Sequence, residues 1–157
     1  MRRMFSRVLF VLAVAALPAL AADNSLGTWK ANIAKCKYSP GPLPLKTYTL
    51  VRESAPGGVK VTLTGERSDG TPINASYTAR YDGSPSAVSG SGTPYDSIAI
   101  KQVDANTFTA EAKNFKTKYQ SSLRTVVSRD GKTMTIPGKG WDADGKAMTL
   151  TLVLEKQ

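Results

Sequence analysis

The sequence predicts an all-β fold, an antiparallel up-and-down β-barrel of about nine or ten strands. Three observations lead there. Four Asp-Gly steps, at Asp69-Gly70, Asp82-Gly83, Asp130-Gly131 and Asp144-Gly145, lie between segments that alternate apolar and polar residues. Asp-Gly is a strong hairpin signal, because both residues tolerate the positive φ of a two-residue type I′ turn. No stretch after residue 21 has the apolar period of an amphipathic helix. A meander of this length leaves two exposed edges unless it closes on itself, and a barrel removes them. A two-sheet sandwich is the alternative.

Taken in order, Gly27 to Asn32 forms a first short strand carrying Trp29. Pro40, Pro42 and Pro44 then exclude both helix and central strand, and favour a stiff extended connector. Thr47 to Val51 alternates. Val59, Val61 and Leu63 share one face of the next strand. Beyond Asp69-Gly70, Ile73, Ala75, Tyr77, Ala79 and Tyr81 share a face. Residues 83–94 are rich in Gly, Ser and Pro, with a short strand near Ala87-Val88. Ile98 and Ile100 mark another strand, and Asp104-Ala105-Asn106 a turn. Phe108, Ala110 and Ala112 resume the alternation. Tyr119, Ser121, Leu123, Thr125 and Val127 follow, then Met134 and Ile136. The last strand sets Met148, Leu150, Leu152 and Leu154 against Ala147, Thr149, Thr151 and Val153.

Residues 1–21 read as a cleaved signal peptide of bacterial type. Arg2, Arg3 and Arg7 precede an apolar run from Val8 to Leu20, and Ala19-Leu20-Ala21 supplies a small-x-small cleavage pattern. The run is too short to span a bilayer comfortably. Residues 22–157 then form a single exported domain with no transmembrane segment, placed in the periplasm or outside the cell. A transmembrane barrel would need aromatic girdles at its strand ends, and the aromatics do not fall that way. The chain carries a net charge of +9; the first 21 residues take away three Arg and no acid, leaving +6. Such a protein is drawn to anionic surfaces, although a solvated exterior explains the charge as well. Lys113, Lys116 and Lys118 alternate with Phe115 and Tyr119, but no nucleic-acid motif accompanies them. Cys36 is the only cysteine, so no intramolecular disulfide forms.

The chain contains no His, which removes Ser-His-Asp and Cys-His catalysis and histidine metal sites. Asp69, Asp82, Asp104, Asp130, Asp142 and Asp144 sit in expected turns, where an Asp side chain bonds the local backbone. Asp142-Ala143-Asp144-Gly145 lacks the further acids of a calcium loop. No catalytic residue, metal site or cofactor is expected, and the protein reads as non-enzymatic.

Leu26-Gly27-Thr28-Trp29-Lys30 resembles the Gly-x-Trp opening of the calycin barrels, the lipocalins and fatty-acid-binding proteins. The chain also resembles exported bacterial proteins with a Gly-Thr-Trp-Lys start, a Ser-Pro-Gly-Pro segment and repeated Asp-Gly-Lys turns. The resemblance implies a lipocalin-like barrel whose floor Trp29 closes, a structural role. The lid helices of fatty-acid-binding proteins are not expected, because the proline segment takes their place. Inward aromatics of such a barrel would line a cavity for a small hydrophobic or amphipathic ligand. The candidate ligand-binding residues are Tyr77, Tyr81, Phe108, Tyr119 and Arg124. Arg124, like Arg80, has the outward parity of its strand, and would meet an anionic head group only if a bulge turned it inward. The competing expectation is an envelope module with a filled core that binds another protein or an anionic surface.

Overall fold

The computed structural model describes residues 22–157; the expected signal peptide lies outside the described residues. Twelve strands build one antiparallel sheet. They are β1 (Gly27–Ala31), β2 (Lys37–Ser39), β3 (Leu45–Ala55), β4 (Gly58–Arg67), β5 (Pro72–Arg80), β6 (Asp82–Ala87), β7 (Ser89–Ser91), β8 (Ser97–Asp104), β9 (Thr107–Lys113), β10 (Gln120–Val127), β11 (Thr133–Trp141) and β12 (Ala147–Lys156). The only helical element among the described residues is a 3₁₀ turn, Ile33–Lys35. Neighbours in the sheet follow chain order, the up-and-down rule, and β1 pairs with both β3 and β12.

The two sheet edges meet in one segment. β6 pairs with β8, and after Val88 the same run continues as β7, which pairs with β5. Residues 82–91 thus belong to both edges and bring the barrel almost to closure, so little ladder is left exposed. β1 and β2 lie along the same edge of β12 and together act as one interrupted stave.

Cys36 sits at that interruption. Its sulfur accepts the Val153 N–H at 3.3 Å and lies 3.3 Å from the Asn32 carbonyl, to which the thiol donates. The thiol therefore takes a place that a backbone group fills elsewhere in the ladder. Cys36→Ser retains a donor and an acceptor there and is expected to shift stability by no more than about 1 kcal/mol, whereas Cys36→Val leaves the Val153 N–H without its acceptor and costs about 1–3 kcal/mol. Urea unfolding of the two variants beside wild type checks the difference.

All four Asp-Gly steps fall at chain reversals, but the turns are not type I′. Among the described residues no non-glycine has positive φ, so each Asp stays in the ordinary region. At the first reversal the Gly70 N–H bonds the Arg67 carbonyl at 3.0 Å, the Arg67 N–H bonds Thr71 at 2.8 Å, and Gly70 takes φ +86°. This is a type I turn followed by a left-handed glycine. The Asp69 carboxylate explains the choice: it accepts the Thr71 N–H at 2.9 Å, a bond that holds the aspartate at negative φ and lowers its pKa.

The alternation read from the sequence points the way the sheet does. Val59, Val61, Leu63, Ile73, Ala75, Ala79, Ile98 and Ile100 are buried, while Arg80 and Arg124 are exposed. The buried apolar residues form one cluster inside the barrel. Trp29 closes its lower end, wholly buried, with its indole N–H donated to the Ser25 carbonyl at 2.9 Å. The Lys156 ammonium lies 5.3 Å from the centre of the Trp29 ring. Gly27 clears the path of that side chain: a Cβ there would stand 2.9 Å from Lys156 Cε, at φ +125°.

Candidate functional site

Strand direction gives the barrel two ends. At the lower end lie residues 22–25, the β3–β4 turn and the 104–106 turn; at the upper end lie the proline segment 40–44, residues 92–96, the 114–119 loop and the 142–146 turn. A cavity of about 310 Å³ runs from the barrel centre to the upper end. Pro44, Pro94 and Ala143 stand at its mouth, and Leu50, Ile100 and Phe108 line its depth. Its wall is mainly apolar, and its volume falls at the small end of the range for ligand pockets.

Five tyrosines add hydroxyls to this wall: Tyr38, Tyr48, Tyr77, Tyr95 and Tyr119. Burial, the leading cause in each case, raises the phenol pKa of Tyr48, Tyr77, Tyr95 and Tyr119. These groups remain neutral near pH 7 and can donate as well as accept. The Tyr119 hydroxyl shares a hydrogen bond of 3.0 Å with Ser121. The Tyr48 and Tyr95 hydroxyls engage each other, whereas the Tyr77 hydroxyl makes no side-chain hydrogen bond among the described residues.

The cavity floor holds a charge. Arg52, 5% exposed, lines the cavity, and its guanidinium carbon lies 5.2 Å from the centre of the Phe108 ring. Arg52 Nε donates to Ser25 Oγ at 2.9 Å and Nη2 donates to the Tyr81 hydroxyl at 3.2 Å. Both hydroxyls in turn donate hydrogen bonds to the Asp23 carboxylate. Asp23 thus offsets the buried cation through two bridging oxygens, each used as both donor and acceptor. Tyr81 is raised to about 12, first by burial and then by the Asp23 carboxylate against the opposing pull of Arg52. The remaining nitrogen, Nη1, has no hydrogen bond among the described residues. The site therefore presents one guanidinium donor at the bottom of an apolar, tyrosine-lined space.

Of the residues singled out from the sequence, Tyr77, Phe108 and Tyr119 line this cavity together. Tyr81 lies beneath it, its ring centre 5.2 Å from that of Phe108 in a tilted contact, and it is engaged by Arg52 and Asp23. Arg124 stands on the outer wall: β10 pairs in unbroken register with β9 there, and no bulge turns the side chain inward. Sequence reading missed Arg52, Tyr48 and Tyr95. Arg52 was within reach, since Tyr48, Leu50 and Arg52 share one parity on β3 and all face inward.

No protein-family model matches the chain, and no curated protein matches it. Among solved structures, it is similar to a redesigned β-barrel, mFAP1, bound to DFHBI. The two share 17% identity at a TM-score of 0.43, over 82% of this chain and 94% of that one.

Proposed function

We propose that this protein is an exported, non-enzymatic barrel that binds one small amphipathic molecule in the bacterial envelope. The single observation that supports the reading most is Arg52 at the floor of an apolar cavity of about 310 Å³. An apolar ligand body would replace water against Leu50, Ile100 and Phe108, and the tyrosine hydroxyls would take its polar substituents. An anionic or strongly accepting end would receive the Nη1 donor of Arg52, a charge-assisted bond in a low-dielectric setting. The void weighs against a filled-core module, and the signal-like residues 1–21 motivate export.

Native mass spectrometry of the protein released from the periplasm is expected to show a chain beginning at Ala22 and carrying a small-molecule adduct. A companion titration compares a fluorescent long-chain carboxylate with the uncharged alcohol of the same skeleton. Arg52→Gln is expected to weaken the carboxylate by about tenfold to a hundredfold and the alcohol far less. A wild-type protein that binds neither probe, and carries no adduct, refutes the reading.

A further inference from the structure

Four large apolar side chains are exposed on the described barrel: Val103, Val126, Phe115 at 79% and Trp141 at 51%. The two aromatic ones both stand at the upper end, where the cavity opens. Trp141 ends β11, directly across from Gln120, and Gln120 is in turn opposite Lys113 on β9. Phe115 belongs to the next loop, 114–119, whose tip is tied to the neighbouring turn by the Lys118 N–H on the Ala143 carbonyl at 3.1 Å. Ala143 also lines the mouth of the cavity, so the brace that holds the Phe115 loop stands at the opening. A Phe left this exposed on a braced loop contributes little to the core that holds the fold, and it shares this end of the barrel with a second exposed aromatic ring.

The charge beside these rings narrows the partner. Lys113, Lys116 and Lys118 flank Phe115 with no acid between them, and Lys139 and Lys146 flank Trp141. All five lysines are exposed, and none of them makes an ion pair among the described residues. The acids nearby are fewer than the lysines: Asp96 accepts the Phe115 N–H, Asp142 accepts those of Asp144 and Lys146, Glu111 accepts the Ser122 hydroxyl, and Asp144 is exposed in the turn between Trp141 and Lys146. The rim thus offers two aromatic rings on separate tips, with more lysines than acids beside them and the lysine charges carried on long apolar stems. That combination matches a bilayer interface, where Trp and Phe settle at the headgroup level and Lys reaches anionic phosphates.

We propose that the upper end of the barrel docks on an anionic phospholipid surface, with Phe115 and Trp141 entering the interface and the surrounding lysines on the headgroups. Docked this way, the cavity mouth faces the membrane. The proposal rests on the rim alone and does not require that the cavity holds a ligand.

The two tryptophans supply the test. Trp29 is wholly buried and Trp141 is half exposed, so a change of emission on binding vesicles reports Trp141. The intact chain is titrated with vesicles of phosphatidylcholine alone and with vesicles in which about one lipid in three is phosphatidylglycerol. The expected result is a blue shift and co-sedimentation with the anionic vesicles only, reversed by salt. Phe115→Ser with Trp141→Ser is expected to lower co-sedimentation by about tenfold or more with an unchanged melting temperature. Lys113→Gln, Lys116→Gln and Lys118→Gln together, which leave both rings in place, should abolish the preference for anionic vesicles. Equal binding to both vesicles, or a double variant that sediments like wild type, overturns the proposal. An absence of any shift also overturns it, and leaves the rim to a protein partner.

Discussion

Replacement of Trp29 by Ala is expected to cost about 3–5 kcal/mol, a large share of the stability of a domain of this size. The residue is wholly inside the barrel, and nothing adjacent can collapse into its volume without drawing strands together. The loss extends beyond the indole. The Ser25 carbonyl loses the donor that anchors residues 22–25 to the floor, and the Lys156 ammonium loses the ring beneath it. Trp29→Phe restores part of the volume but neither the N–H nor the full face, so it should fall between wild type and Trp29→Ala. Urea unfolding followed by circular dichroism gives the order of the three. A Trp29→Ala protein with wild-type stability would show that the floor is not closed by this side chain.

The second large effect concerns Asp23. Its carboxylate receives the Ser25 N–H, the Ser25 hydroxyl and the Tyr81 hydroxyl, and it is the acid that offsets Arg52. Asp23→Ala leaves a guanidinium inside the barrel facing two hydroxyls that have lost their acceptor. Truncating one partner of a buried charge pair costs about 3–5 kcal/mol; here the carboxylate is only half-buried and acts through bridging oxygens, so a loss of about 2–3 kcal/mol is expected. Asp23→Asn keeps the shape and part of the hydrogen bonding and should cost less. Thermal melts of both variants, alone and with Arg52→Met, check the assignment. If the charge on Arg52 is what suffers, the double variant recovers part of the loss. If Asp23→Ala costs the same with and without Arg52, the network carries no electrostatic coupling.

The inner face of the barrel was legible because side chains alternate strictly along a strand, and one correct residue fixes the parity of all the others. Val59 placed Val61 and Leu63, and Ile73 placed Ala75 and Tyr77, without knowledge of the partner strands. Turn positions were legible for the same local reason, since Asp-Gly marks a reversal whatever its geometry. The turn type was not, because it depends on which backbone N–H the aspartate captures. Arg124 shows where a strand-by-strand reading ends: its outward parity was visible, and the structure contains no bulge to reverse it. The floor network was hidden for a different reason. Asp23, Ser25, Arg52 and Tyr81 lie on three separate stretches of chain, and only closure of the barrel brings them within hydrogen-bonding distance. The rim was half legible. The basic and aromatic alternation at 113–119 was plain, but Trp141 joins it only through the pairing of β10 with β11.

The pairing of β1 with β12 sets an order of events during folding. Asn32 bonds Glu155 across a separation of 123 residues, and the Trp29 backbone lies opposite Lys156. β1 therefore cannot be zipped on that side until β12 has been brought to it. Hairpins such as β3–β4 and β4–β5 can form early from local contacts, but the ring joins only at the end, with the long loop-closure entropy already spent. Such a chain folds slowly for its size. For most of that time its first strand has one side unpaired, an exposed ladder that closure then removes.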